Sequence, residues 1–194
     1  RKKKYVEARV TEILQPSPVR VQPVCYYFGD CGGCKWQHLA YSEQVRWKKQ
    51  HVQDAFERLG KVEYALLEDT LSCEQEYGYR NKMEFSFSNS RWLTDLEITS
   101  GVEFDRDFAL GLHVPGRFDK VVDVQECFLQ PAIGNHIVNA VRKAARERHV
   151  APFETRMHTG FLRNLVIRSS RATGEIMVIL VTSPPLLDEE HDLI

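Results

Sequence analysis

The sequence lacks several features that define whole classes of protein. No stretch of its 194 residues approaches the ~18 consecutive apolar residues of a membrane-spanning helix. No charged-then-apolar leader opens the chain, so nothing in it indicates secretion. Neither sign of charge is in excess, with 26 Lys and Arg against 27 Asp and Glu. We therefore expect a cytoplasmic protein without a membrane partner. Because the sequence starts at Arg1 rather than at Met, we interpret it as a piece of a longer protein.

Cysteine is scarce and odd in number, which argues against a disulfide framework. Three of the five cysteines, Cys25, Cys31 and Cys34, lie close together, whereas Cys73 and Cys127 follow far downstream. In a reducing compartment such a cluster is more often a set of metal ligands. The cysteine-rich segment therefore predicts a metal centre.

The spacing Cys25-x5-Cys31-x2-Cys34 favours a cubane iron–sulfur cluster. Three thiolates on a glycine-rich loop can hold three corners of a cubane, and a distant cysteine can hold the fourth. Common structural zinc sites use two CxxC pairs instead, so zinc is the weaker alternative and unliganded thiols are the weakest. Cys127 is favoured as the fourth ligand because it lies between a predicted strand and a predicted helix. Cys73 lies in an acidic stretch, which disfavours another thiolate.

Two helices are predicted from apolar residues at helical spacing. The first runs over 43–59, with Ser42 as its N-cap and Gly60 after its end. The second begins at Pro131 and ends near His149. Its predicted solvent side consists of Arg142, Lys143, Arg146 and Arg148. The apolar stripe of the first helix, interpreted as a core face, consists of Val45, Val52, Ala55, Phe56 and Leu59.

Strand patterns alternate with these helices. The segment 80–88 is the clearest, because apolar and polar residues alternate along it. The last two strands, 161–169 and 175–182, are joined by a turn and predict a hairpin. The polar segment 89–107 is interpreted as an excursion, with a short strand around 96–98. Further strands are predicted at 5–14, 19–24, 108–114 and 121–122. The elements together predict an α+β fold with a mainly antiparallel sheet and two main helices.

The residues that follow the cysteine loop resemble the iron–sulfur motif of RumA-like RNA uracil-5-methyltransferases. The segment CGGCKWQHLAYSEQVRWKK, residues 31–49, has the Cys-Gly-Gly-Cys, aromatic, Gln-His-Leu, Tyr and Gln of that family, followed by a basic helix. The resemblance continues at 79–85, at 110–113 and at Cys127, where the family has its fourth cluster cysteine. It covers roughly residues 5–182.

The resemblance implies a three-part enzyme that uses S-adenosylmethionine to methylate C5 of uracil in RNA. Its parts are an OB-like TRAM barrel, a central domain with a [4Fe–4S] cluster and a C-terminal Rossmann-like methyltransferase domain. Residues 1–23 are then expected to be the end of the TRAM domain, 24–182 the central iron–sulfur and RNA-binding domain, and 183–194 a linker. The implied cluster ligands are Cys25, Cys31, Cys34 and Cys127.

The catalytic features of that family do not appear in this sequence. No glycine-rich cofactor loop follows a strand, and no Pro-Cys nucleophile motif is present. Ser183-Pro184-Pro185 departs from the family's Asp-Pro-Pro signature, and Cys73 is interpreted as an incidental thiol. We therefore expect no catalytic residue in this chain. S-adenosylmethionine is expected to bind only to the full-length enzyme.

RNA contacts are predicted at basic and aromatic side chains around the cluster motif. Arg80, Asn81 and Lys82 supply two cations and an amide, which suit phosphate or base-edge contacts, although solvation of a strand end is the alternative. Trp36 and His38 can stack on a base or shield the cluster. The first helix contributes Arg46, Lys48 and Lys49.

The partner implied by the resemblance is ribosomal RNA, bound by a monomer. Ribosomal RNA is preferred over transfer RNA because the tRNA branch of the family generally lacks these cysteines. Two other classes of function stay open at this point. They are a non-catalytic RNA-binding module stabilised by zinc, and an electron-transfer protein that uses the cluster.

Overall fold

The computed structural model describes residue 6, residue 8 and residues 10–184, and the chain divides into two compact units. The smaller unit consists of the described residues up to Gln22 together with His38–Leu71. The larger unit consists of Pro23–Gln37 and the chain from Ser72 onward. Over these described residues, no helix has both the length and the apolar composition needed to cross a bilayer.

Three α-helices and six strands are present in the described part of the chain. The helices are α1 (Tyr41–Asp54), α2 (Asp95–Thr99) and α3 (Ala132–Glu147), and a π-helix at Ala55–Gly60 follows α1. The strands are β1 (Lys82–Ser88), β2 (Arg91–Trp92), β3 (Ala109–His113), β4 (Val121–Asp123), β5 (Leu162–Ser169) and β6 (Ile176–Thr182).

The larger unit is built on one sheet with the strand order β2-β4-β3-β1-β5-β6. Every neighbouring pair is antiparallel except β2 and β4, which run parallel. The expected α+β class with a mainly antiparallel sheet is therefore confirmed. The predicted hairpin is also present, since β5 pairs with β6 from Leu162↔Thr182 to Ser169↔Ile176.

The core of the larger unit lies on one face of this sheet. Met83, Phe85 and Phe87 alternate along β1 and are buried, as their period of two predicts. They belong to the same hydrophobic cluster as Val138 and Ala145 of α3. Each of the three β1 side chains contributes roughly 1.5–3 kcal/mol through burial.

The segment 89–107 differs from its predicted short strand at 96–98. Residues 95–99 form α2 instead, and its N-terminus is a capping box. The Thr94 hydroxyl accepts from the Glu97 N–H at 3.2 Å, and the Glu97 carboxylate accepts from the Thr94 N–H at 2.8 Å. Thr-x-x-Glu is a helix-start signature, so local capping prevailed over the weak strand pattern.

The second predicted helix is present as α3, but its solvent side was predicted wrongly at Arg142. This side chain is 6% exposed and pairs with Asp123 of β4 at 3.0 Å. A buried carboxylate needs a compensating cation, and α3 presents Arg142 to it from the same stripe as Val138 and Ala145.

The first predicted helix differs at its start and in its burial. It begins at Tyr41 after Ala40, and no side chain caps it, so Ser42 is not the N-cap. None of the residues of α1 or of the π-helix is buried. The apolar stripe is therefore not a core face: Val52, Phe56 and Leu59 are exposed.

The predicted strands near the start of the chain are not found among the described residues. Residues 6, 8 and 10–14 are not in a strand, and the segment 19–24 contributes only an isolated bridge between Arg20 and Leu39. Residues 1–5, 7, 9 and 185–194 lie outside the described residues. The assignments of a TRAM remnant to 1–23 and of a linker to 183–194 stay predictions.

Candidate functional site

Four of the five cysteines line one apolar pocket of the larger unit: Cys25, Cys31, Cys34 and Cys127. Cys127 is buried and the other three are half-buried. Cys73 is exposed, and it is not among the residues that line this pocket. The structure thus brings together the four cysteines selected from spacing and resemblance. Their binding of a metal stays a prediction.

Backbone contacts hold the cysteine loop against the end of β3. The Gly32 N–H donates to the His113 carbonyl oxygen at 2.9 Å, and a Cβ on Gly32 would lie only 2.7 Å from that oxygen. A Cβ on Gly33 would lie 3.0 Å from Leu112 Cδ1. Glycine is therefore required at Gly32 by the close approach of the loop to the backbone of the sheet, whereas a side chain at Gly33 would only require Leu112 to move.

Polar side chains fix the backbone on both sides of the pocket. The buried Gln37 accepts from the Cys25 N–H at 3.2 Å through Oε1. Asn135 of α3 accepts from the Cys127 N–H at 2.9 Å and donates to the Cys127 carbonyl at 3.3 Å. Sequence reasoning missed Asn135, because no local pattern links a helix amide to a backbone eight residues earlier.

The pocket favours neutral thiols. Burial raises the pKa of Cys31 to about 11, and it also raises the pKa values of Cys25 and Cys127. The neighbouring cysteines add to each shift, while Arg80 partly opposes it at Cys127. A bound metal would supply a positive charge that opposes this effect and favours the thiolates.

The described residues do not contain a closed site for a single metal ion. No three His, Cys, Asp or Glu side chains among them are placed to hold one ion. Tetrahedral zinc with Zn–S bonds of ~2.3 Å requires sulfurs about 3.8 Å apart. The four thiols therefore surround one pocket without forming a zinc tetrahedron.

Three of the predicted RNA-binding residues lie at the start of β1. Arg80 and Asn81 precede the strand, and Lys82 is its first residue. Lys82 is exposed and pairs in register with the exposed Arg168 of β5. The positive charge of Arg80, which is exposed, acts to lower the pKa of Cys127.

The other predicted RNA-binding residues are divided between the two units. Trp36 belongs to the larger unit, and His38 to the smaller one. The three cations on α1 are engaged within the smaller unit. Arg46 pairs with Glu43 at 2.8 Å, Lys49 pairs with Asp69 at 2.6 Å, and Lys48 lies 5.9 Å from the centre of the Tyr41 ring.

Comparison with known proteins identifies relatives over the full length of this chain. No family model matches. An uncharacterized RNA methyltransferase of Bacteroides thetaiotaomicron is 45% identical over 193 residues, which are 100% of this chain and 42% of the relative. A similarly named protein of Chlorobaculum tepidum is 44% identical over 94% of this chain and 38% of its own. An uncharacterized RNA methyltransferase of Porphyromonas gingivalis is 42% identical over 93% of this chain and 40% of the relative. The chain thus spans about two fifths of the length of these relatives.

A solved structure has a similar fold. It is the Pyrococcus abyssi tRNA (uracil-54, C5)-methyltransferase in complex with S-adenosyl-L-homocysteine, with a TM-score of 0.60. The match covers 94% of this chain and 37% of that one, at 22% identity. At this identity the likeness concerns the fold alone, and it agrees with the mixed α+β architecture described above.

Proposed function

We propose that this chain is the part of an S-adenosylmethionine-dependent RNA uracil-C5 methyltransferase that binds a [4Fe–4S] cluster and helps to position RNA. The observation that carries the proposal is 45% identity over the whole chain to a relative named as an RNA methyltransferase. The fold of the chain is similar to that of part of a tRNA uracil-C5 methyltransferase, as the proposal requires. The proposed substrate is ribosomal RNA, bound by a monomer.

The proposed division of labour leaves catalysis to the rest of the enzyme. Residues 24–182 would form the central domain, after a TRAM remnant at 1–23 and before a linker at 183–194. No residue of this chain is proposed as nucleophile or base. Methyl transfer would require the remaining three fifths or so of the length seen in the relatives.

The proposed ligands of the cluster are Cys25, Cys31, Cys34 and Cys127. Their shared apolar pocket supports this set, as does the exposure of Cys73 outside it. The spacing Cys25-x5-Cys31-x2-Cys34 supports a cubane cluster over zinc, because common structural zinc sites use two CxxC pairs. When bound, the cluster would join the cysteine loop, through three Fe–S bonds, to the segment before α3, through the bond to Cys127.

The test is metal analysis of protein purified without oxygen. We expect iron and acid-labile sulfide in equal amounts, four of each per chain, and visible absorbance that gives a brown colour. Cys127→Ser should lose iron and colour, whereas Cys73→Ser, the matched control, should keep both. Zinc in place of iron would instead support a zinc-stabilised RNA-binding module, and equal loss in both variants would refute the assignment of Cys127.

A further inference from the structure

A second pocket lies at the opposite end of β1 from Lys82. Phe87 and Ser88 line it where β1 ends, and the loops 114–120 and 152–160 contribute its other walls. Because β1 has seven residues, the pocket lies about 20 Å from Lys82. Its residues do not include any of the four pocket cysteines.

The size of this pocket limits what it can hold. Its volume is about 310 Å³, near the lower end of the ~300–1,000 Å³ typical of small-molecule sites. A single nucleoside suits such a volume better than a longer ligand does. The pocket is partly open to solvent, so a group attached to a chain can enter it.

Two exposed apolar side chains line the pocket, one from each loop. Phe118 is 74% exposed, and Met157 is exposed to a similar degree. Within the described part of the chain, the Phe118 ring contacts no other ring and no cation. The nearby Phe153 ring differs, because the Arg163 guanidinium lies 4.2 Å from its centre. Phe118 thus offers an aromatic face on which a planar group can stack.

Hydrogen bonds between side chains hold the two loops in place. Asn89 donates to the Glu154 carboxylate at 2.6 Å, which ties the end of β1 to the second loop. Arg156 donates to the Asp119 carboxylate at 3.4 Å, which ties the two loops together. The pocket is therefore already formed without its ligand.

The second loop is also shaped by its backbone. Gly160 has a φ of +90°, and a Cβ there would lie 2.2 Å from the Pro152 carbonyl oxygen. Only glycine permits this closure. The Glu154 N–H donates to the Thr159 carbonyl at 2.7 Å across the loop. Together these contacts define one loop conformation beside the pocket.

The polar groups around the pocket match the edge and the phosphate of a nucleotide. Amide, hydroxyl and carboxylate groups at Asn89, Ser90 and Glu154 provide donors and acceptors for a base edge. Lys120 donates to Ser90, and Arg117 and Arg156 both pair with Asp119. Lys120 and Arg156 line the pocket with Asp119 and Glu154, and Arg117, in the first loop but outside the lining, adds a third cation, so the two loops carry a local positive excess that suits an anionic backbone.

We propose that this pocket binds one unpaired nucleoside of an RNA strand, with its base stacked on Phe118. Proteins recognise single-stranded RNA by stacking splayed bases on aromatic rings and by hydrogen bonds to base edges. The inference rests on the proposed function, since it assumes that this chain contacts RNA. It adds a specific contact about 20 Å from the cationic start of β1.

The experiment measures the affinity of the full chain, purified without oxygen, for a single-stranded decauridine RNA. Phe118→Ala should weaken binding roughly fivefold to a hundredfold, the usual loss for one stacked base. Ile98→Ala, a matched control on α2 that is 61% exposed, should leave the affinity within about twofold. Both side chains lie at the surface, so both variants should keep the circular dichroism spectrum of the parent.

The salt dependence of binding separates stacking from a general cationic surface. Stacking releases no phosphate counterion, so Phe118→Ala should lower affinity by the same factor at low and at high salt. If the wild-type chain does not bind the oligomer at all, the proposed function fails and this inference fails with it. If the wild-type chain binds but the Phe118 and Ile98 variants behave alike, only the pocket assignment is overturned.

Photochemical crosslinking gives a second, independent measurement. A decamer that contains 4-thiouridine should crosslink to peptides that include residues 117–120 or 153–157. Crosslinks confined to residues 79–82 would overturn the inference, and they would leave the proposed RNA contact at the start of β1 intact.

Discussion

Arg142 joins three parts of the larger unit through one guanidinium group. It donates to Asp123 at 3.0 Å, to the Leu110 carbonyl at 2.8 Å and to the Val124 carbonyl at 2.6 Å. Asp123 is 5% exposed and also accepts from the Leu110 N–H at 2.9 Å. Each charge therefore compensates the burial of the other, and neither is tolerated alone.

Removal of this cation should destabilise the fold strongly. We expect Arg142→Met to lower the free energy of unfolding by about 3–5 kcal/mol, because Asp123 stays buried without its partner. Lys143→Met changes the next residue of α3, whose side chain is 74% exposed, and should stay within about 0.5 kcal/mol of the parent. Urea unfolding followed by circular dichroism measures both. Similar losses for the two variants would contradict the structural role of the Arg142–Asp123 pair.

Single residues differ in how far the sequence alone reveals them. The four pocket cysteines were identifiable from spacing and from the order of the motifs. The burial of Arg142 was not identifiable from the sequence, although Arg142 follows Val138 by one helical turn and lies on the same buried face of α3. A cation on a helix is ordinarily solvated, and only the position of Asp123 on a distant strand reverses that expectation. Long-range partners of this kind leave no local pattern.

At the scale of elements, β1 connects two candidate ligand sites. Its first residue, Lys82, lies beside Arg168 of β5, and its last residues line the pocket at Phe118. The strand itself is held on both sides, by β3 and by β5. The effect of a substitution at Lys82 on RNA binding can therefore be measured without disturbing the core. The Lys82 side chain lies on the opposite face of β1 from the buried Met83, Phe85 and Phe87.

Charge reversal at the start of β1 should weaken RNA binding and change its salt dependence. For Lys82→Glu we expect lower affinity and a slope of log K against log salt that is smaller by roughly 0.7 per lost phosphate contact. Lys143→Glu on α3 is the matched control; the buried Arg142 is unsuitable for this purpose. Both slopes are obtained from titrations at several salt concentrations. If the two charge reversals change the affinity and its salt dependence equally, RNA binds to positive charge anywhere on the surface and not to a defined site at the start of β1.

The elements that the sequence predicted best are those with a strong internal period. β1, the β5–β6 hairpin and α3 follow from alternation or from helical spacing. The parallel pairing of β2 with β4 could not be predicted in this way, because each strand is very short and its partner lies some thirty residues away. The stripe on α1 shows the converse: its period predicted the helix, but period alone does not establish that a face is buried.

At the scale of the whole molecule, the described architecture differs from that of a cofactor-binding methyltransferase domain. In Rossmann-like folds the cofactor binds at the carboxyl ends of parallel strands, beside a glycine-rich turn that leads into a helix. In the described residues the sheet is antiparallel at every neighbouring pair but one, and that pair joins strands of two and three residues. The glycines of this chain serve turns and close approaches instead, as at Gly32 and Gly160.

We therefore expect that the chain alone does not transfer a methyl group. Incubation with tritiated S-adenosylmethionine and a uridine-containing RNA should give no incorporation above that of a sample without protein, and calorimetry should detect no binding of the cofactor. The full-length Bacteroides thetaiotaomicron relative, which is 45% identical to this chain, serves as the comparison under the same conditions. Cys73 is the exposed thiol of this chain, so it is the residue to examine if incorporation is seen. Incorporation that Cys73→Ser abolishes would overturn both the assignment of catalysis to the rest of the enzyme and the interpretation of Cys73 as an incidental thiol.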